Sequence, residues 1–139
     1  MNINHCNQTN FCGIFYNQTG LKYVEKENGT DAIAKLQNAQ QKFANSKWTM
    51  NINENGYTLV SPSTSKTYTG PFSIRKHSKM GALKTKVSQL IIRMDASNKS
   101  KYIVNFPDMT GVSKMYKAIK NASGLERMLL ILTVLEKNI

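Results

Sequence analysis

The chain predicts an α+β protein built on a bent antiparallel β-sheet, with one helix inserted near the N-terminus and helices at the C-terminus. Two observations carry that class. Between residues 47 and 77 apolar and polar residues alternate through KWTMNINENGYTLVSPSTSKTYTGPFSIRKH, the period of half-buried strands. Beyond Pro107 the period changes, and Val112, Met115, Tyr116 and Ile119 recur at i, i+3, i+4 and i+7, one stripe of an amphipathic helix.

The elements follow in order. Residues 1–10 read as a flexible polar tail, and residues 11–139 as a single domain. Phe11 to Tyr16 forms a first strand, and Leu21 to Glu25 pairs with it or extends it past Gly20. Gly29-Thr30-Asp31 supplies capping oxygens for a helix whose stripe is Ile33, Leu36, Ala39 and Phe43. Trp48, Met50 and Ile52 then alternate along a strand, and Asn55-Gly56 provides the positive-φ turn that returns Tyr57 to Val60 as a hairpin. Another polar turn, Ser61 to Ser65, leads to a strand through Phe72 and Ile74. A basic loop, His77 to Lys86, precedes a strand from Val87 to Met94, and Tyr102, Val104 and Phe106 alternate on the next. Asp108 or Thr110 caps the helix of the Val112 stripe, Gly124 breaks it, and residues 125–137 form an additional helix that is apolar on nearly every side. Such a helix is buried in its own chain or mediates self-association.

With 139 residues, 40% of them hydrophobic, the chain is long enough for one sizeable core. Its formal charge of +11 is lopsided: residues 1–60 carry five Lys against four acids, and residues 61–139 fourteen Lys and Arg against four acids. That field favours an acidic partner, whether peptide, lipid headgroup or nucleic acid. Cys6 and Cys12 have no companion Cys/His set, so neither a disulfide framework nor a zinc site is expected. The N-terminus lacks the apolar core of a signal peptide and no apolar run reaches membrane-spanning length. The expected location is intracellular, cytoplasmic or at the inner membrane surface. Asn7, Asn17 and Asn28 each begin an Asn-x-Thr sequon, read as coincidence in an asparagine-rich chain.

These residues, in this order, resemble the phosphotyrosine-binding (PTB) domains of the pleckstrin-homology (PH) superfold, the Disabled and tensin types most closely. The matching segments are the apolar strand Phe11-Cys12-Gly13-Ile14-Phe15-Tyr16, the helix pattern Ala32-Ile33-Ala34-Lys35-Leu36 and the strand pair Asn51-Ile52-Asn53-Glu54-Asn55-Gly56-Tyr57-Thr58-Leu59. Thr67 with Pro71-Phe72-Ser73-Ile74 matches a further strand, and Val87 to Lys120 the closing strands and helix. The resemblance spans residues 11–122, and none of its motifs is diagnostic alone.

It implies a non-catalytic adaptor that takes an extended, phosphorylated or acidic peptide as an added strand. The implied groove lies between the strand Phe72, Ile74, Arg75, Lys76 and His77 and the helix face Val112, Met115, Tyr116 and Ile119. Arg75 is the expected anion reader, because its planar fork bonds phosphate or carboxylate bidentately. Lys79, Lys84 and Lys86 are the implied phosphoinositide surface. Three features depart from the family: Asn121-Ala122-Ser123 stands where relatives carry a late aromatic residue, the strand before that helix reads Tyr102-Ile103-Val104-Asn105-Phe106 where relatives often carry Cys-His, and residues 125–137 add a helix that competes for the groove.

The competing reading is nucleic-acid binding through the basic region 66–120, with Tyr57, Tyr68 and Tyr102 beside Lys99 and Lys101 as a stacking platform. The plainer account of those tyrosines is that their rings cover the edge of the core. The helix–sheet–helix order also resembles the Alu-RNA-binding subunits of the signal recognition particle, which are shorter and leave residues 1–29 and 125–137 unmatched. The basic stretch from Arg75 to Lys86 holds six cationic residues and no acid; its plain reading is a solvated hairpin. Met80, Met109 and Met115 are either adaptable contact residues or core filler.

Enzymatic activity is not expected. His5 and His77 are the only histidines and neither has triad or metal-ligand spacing. The eight carboxylates show no hydrolytic pair, and no glycine-rich phosphate loop is present. No cofactor is implied.

Overall fold

The computed structural model describes residues 13–81, 85–94 and 100–137. His5, Cys6, Cys12, Lys84 and Lys99 lie outside the described residues. The described chain is mixed α+β, with four helices and seven strands in two sheets. It divides into two compact units, one up to Thr69 and one from Gly70 onward.

The first unit holds β1 (Gly13–Tyr16), α1 (Gln18–Asn28), α2 (Ala32–Lys42), β2 (Thr49–Asn53), β3 (Gly56–Val60) and β4 (Thr67–Thr69). Its sheet runs β1-β2-β3-β4. β2, β3 and β4 form the expected antiparallel meander, but β1 lies parallel to β2, with Ile14 opposite Met50. This corrects the all-antiparallel expectation, and the cause is the connection: a parallel neighbour requires a long crossover, and two helices supply it.

One of those helices replaces the strand expected at Leu21 to Glu25. The Asn17 side-chain oxygen accepts from the Gly20 N–H at 2.7 Å, a cap that starts α1 directly after β1. Val24 is buried on its inner face, and Gly20 lets its first turn approach the backbone of Ile52. α2 forms where its stripe places it and buries Leu36 and Ala39, although Asp31 makes no side-chain cap bond. Ile14, Ala32, Phe43, Trp48, Met50, Ile52 and Leu59 complete the buried hydrophobic set of this unit.

The second unit holds β5 (Ser73–Met80), β6 (Lys86–Arg93), β7 (Lys101–Phe106), α3 (Met109–Asn121) and α4 (Gly124–Glu136). Its sheet is antiparallel, in the order β5-β6-β7. The single bent sheet of the sequence reading is thus two sheets. Gly70-Pro71 separates them, and proline has no N–H with which to continue a ladder. Much of the expected basic loop is strand: β5 runs on to Met80, and the Gly81 N–H donates to the Thr85 carbonyl at 2.8 Å where the hairpin turns.

β6 is the central strand, and Leu90, Ile91 and Ile92 are all buried, so both faces of the sheet are covered there. α3 starts on Asp108, whose carboxylate accepts from the Gly111 N–H at 2.7 Å. Gly124, at φ +57°, permits the turn into α4. Leu125, Met128, Ile131, Leu132, Val134 and Leu135 of α4 are buried within the chain itself. No helix among the described residues is long and apolar enough to cross a membrane.

Candidate functional site: a lysine-lined groove beside β5

The pairing register sorts the side chains of β5 between two faces. Lys76 stands opposite Leu90, which stands opposite Val104; Ile74 stands opposite Ile92 and Tyr102 in the same way. Cross-strand partners share a face and neighbours along a strand alternate. Ile74, Lys76 and Ser78 therefore share one face, and Arg75, His77 and Lys79 the other. β5 pairs only with β6, so one of its edges is unpaired among the described residues.

α3 lies beside β5. Val112 and Ile119 are completely buried, as expected of the helix stripe, and that burial removes them from any groove surface. What faces outward beside β5 is the flank of α3. Lys76 together with Met109, Thr110, Ser113, Lys114, Tyr116, Lys117, Lys120 and Asn121 lines an open concavity of about 660 Å³. Four of these nine residues are lysines and none is acidic.

Tyr116 organises the wall. The Lys76 ammonium lies 5.5 Å from the centroid of its ring and the Lys120 ammonium 5.3 Å, both within cation–π range. Lys120 also donates to the Tyr116 hydroxyl at 3.0 Å. Among the described residues none of the four groove lysines meets a carboxylate. At the far end the Ser88 hydroxyl donates to the Met109 sulfur at 3.8 Å, holding that side chain against the sheet.

Of the residues singled out from the sequence, Lys76, Met109 and Tyr116 line the groove together. Phe72 precedes β5 and is half-buried, its carbonyl accepting from the Arg127 guanidinium at 3.3 Å. Ile74 and Met115 are half-buried outside the groove lining. Arg75 and His77 are half-buried on the opposite face, and the Arg75 Nε is buried with no hydrogen-bond partner among the described residues. Lys79 is exposed on that face too, whereas Lys86 is exposed opposite Met80 at the hairpin end. Met80 itself is 61% exposed.

The tyrosines proposed for base stacking belong to two different sheets. Tyr57 and Tyr68 lie on the face of the four-stranded sheet that carries Ile52 and Leu59, whereas Tyr102 belongs to the three-stranded sheet. Tyr57 packs edge-on against Tyr23, with ring centroids 5.8 Å apart, and its hydroxyl is buried without a hydrogen-bond partner among the described residues. Burial, with Tyr23 and Glu27 nearby, pushes the Tyr57 hydroxyl well above the ordinary tyrosine value.

Lys114, Lys117 and Lys120 were not singled out from the sequence. Their signal was present in the three-residue spacing, which puts them on one flank of a helix already recognised by its apolar stripe. Compared with known proteins, the chain matches no protein-family model, no curated protein and no solved structure.

Proposed function

We propose that this protein is a non-catalytic recognition module that takes an extended acidic or phosphorylated peptide into the groove between β5 and α3. One observation carries the reading: an edge strand and a helix flank enclose four lysines, one from β5 and three from α3, with no acid among them. An extended segment added to β5 gains main-chain hydrogen bonds whatever its sequence, and the groove wall selects by charge. Lysine ammoniums are rotatable point charges, suited to carboxylate and phosphate alike. A three-stranded antiparallel sheet with a helix beside its edge strand supports a PTB-like architecture. The parallel β1 and the added α1 make it a variant of that plan. The module's place of work is inside the cell, in the cytoplasm or at the inner membrane surface.

The test is fluorescence anisotropy of labelled probes at low and physiological salt. The probes are an acidic peptide, a tyrosine peptide in phosphorylated and plain forms, a soluble phosphoinositide headgroup and a mixed single-stranded oligonucleotide. Saturable peptide binding that is lost in Lys117→Glu and Lys120→Glu is the expected result. Tight oligonucleotide binding with a steep salt dependence and no peptide binding overturns it and moves the function to nucleic acid.

A further inference from the structure

The spacing of charges in the groove carries information about the ligand beyond its sign. We propose that the groove selects peptides with acidic side chains at alternate positions, i, i+2 and i+4, an inference that rests on strand addition to β5.

A strand added to β5 lies about 4.8 Å from it, and the residue opposite Lys76 directs its side chain to the same face as Lys76. That is the groove side. Residues two before and two after share this direction, while those one before and one after fall on the face of Arg75 and His77. Acidic groups at every second position therefore all meet the groove lysines. A contiguous acidic run sends half of its charge to the other side of the sheet.

The dimensions agree. From Met109 to Asn121 the groove follows about 18 Å of helix. Five residues of extended chain cover roughly 17 Å. Lys114, Lys117 and Lys120 follow one another at about 4.5 Å of helix rise. Alternate side chains of a strand are about 6.7 Å apart. Three alternate acids thus fall within reach of three lysines on α3 and Lys76 on β5, whose four-carbon stems absorb the mismatch. A single phosphate satisfies only the pair gathered at Tyr116 and leaves Lys114 and Lys117 without a counter-charge. Tyr116 is a positioning residue here: its ring holds Lys76 and Lys120 near one another without neutralising either.

The experiment uses the full chain and three labelled nine-residue peptides of identical composition apart from order. One carries three glutamates at alternate positions, one carries them contiguously, and a third has glutamine in their place. Three contiguous glutamates in their best register keep two on the groove side. The alternating peptide is therefore expected to bind about two- to fivefold more tightly than the contiguous one, the effect of one additional exposed ion pair. The double substitution Lys114→Gln with Lys117→Gln should erase that difference, and Arg75→Gln should leave it intact. Equal affinity of the two glutamate peptides, with the glutamine peptide silent, overturns the alternation while the acidic groove stands. Failure of all three peptides to bind overturns the groove reading and this inference together.

Discussion

Lys76 on β5 and Tyr116 on α3 meet across the groove, the ammonium 5.5 Å from the ring centroid. The same ring also holds Lys120, through a second cation–π contact and a 3.0 Å hydrogen bond. Substituting Tyr116→Phe keeps the ring and removes the hydroxyl, so acidic-peptide affinity should fall no more than about twofold, the loss of one exposed hydrogen bond. Tyr116→Leu removes both cation–π contacts and should weaken binding about fivefold or more. Titration of both variants by anisotropy separates ring from hydroxyl; equal losses show that the ring does not position the lysines.

Gly20 is where α1 crosses β2. A Cβ added there meets the Ile52 carbonyl far inside van der Waals contact and the carbonyl carbon at 2.6 Å. Both obstacles are backbone and neither is able to rotate away. Gly20→Ala should lower stability by at least ~2 kcal/mol through overpacking. Urea denaturation followed by circular dichroism reads this directly. A loss below half that size means α1 shifts at little cost.

The Tyr57 hydroxyl is buried and has no hydrogen-bond partner among the described residues, and burial raises its pKa above the ordinary 10.0. Since the folded-state value is raised, the tyrosine's contribution to stability is intact below the unfolded value. It is lost as pH climbs from about 10 toward the folded value. Tyr57→Phe leaves no donor to desolvate, so it should be neutral or stabilising near pH 7. It should also flatten the alkaline fall in the urea midpoint above about pH 10. A destabilised variant with an unchanged alkaline limb contradicts this account.

Asp108 starts the helix that carries three of the four groove lysines. Asp108→Ala removes the acceptor for the Gly111 N–H and should cost about 1 kcal/mol, with Asp108→Asn retaining most of the stability. Thermal melts of the pair distinguish a lost cap from a lost charge, because charge alone predicts equal effects.

Much of the fold was legible in the sequence, because the period of burial is written into it. The alternation of Trp48, Met50 and Ile52, the Asn55-Gly56 turn and the Val112 stripe each became the element they announced. Residues 21–25 misled because Leu, Tyr and Val in close succession favour a strand, while the signal that prevailed was the cap at Asn17, several residues upstream. β5 was under-read for the opposite reason: Arg75-Lys76-His77-Ser78-Lys79 has no apolar alternation, and its pairing with β6 alone makes it a strand. The parallel partner of β1 is a tertiary choice that no local pattern carries. Lysines on the outer side of an amphipathic helix look like solvation until a neighbouring strand turns that side into a wall, so only Lys76, Met109 and Tyr116 of the groove were anticipated.

The edge of β5 that no strand pairs among the described residues has a consequence for solvent exchange. In a two-stranded ladder alternate residues direct their N–H groups away from the partner, so roughly every second amide of Ser73–Met80 faces outward while β6 is bonded on both sides. Deuterium should enter those outward amides of β5 early and reach Leu90, Ile91 and Ile92 late. A ligand that merely neutralises lysines leaves this contrast in place. One that joins the sheet closes the exchanging amides alone, and protection then appears along β5 with a two-residue rhythm.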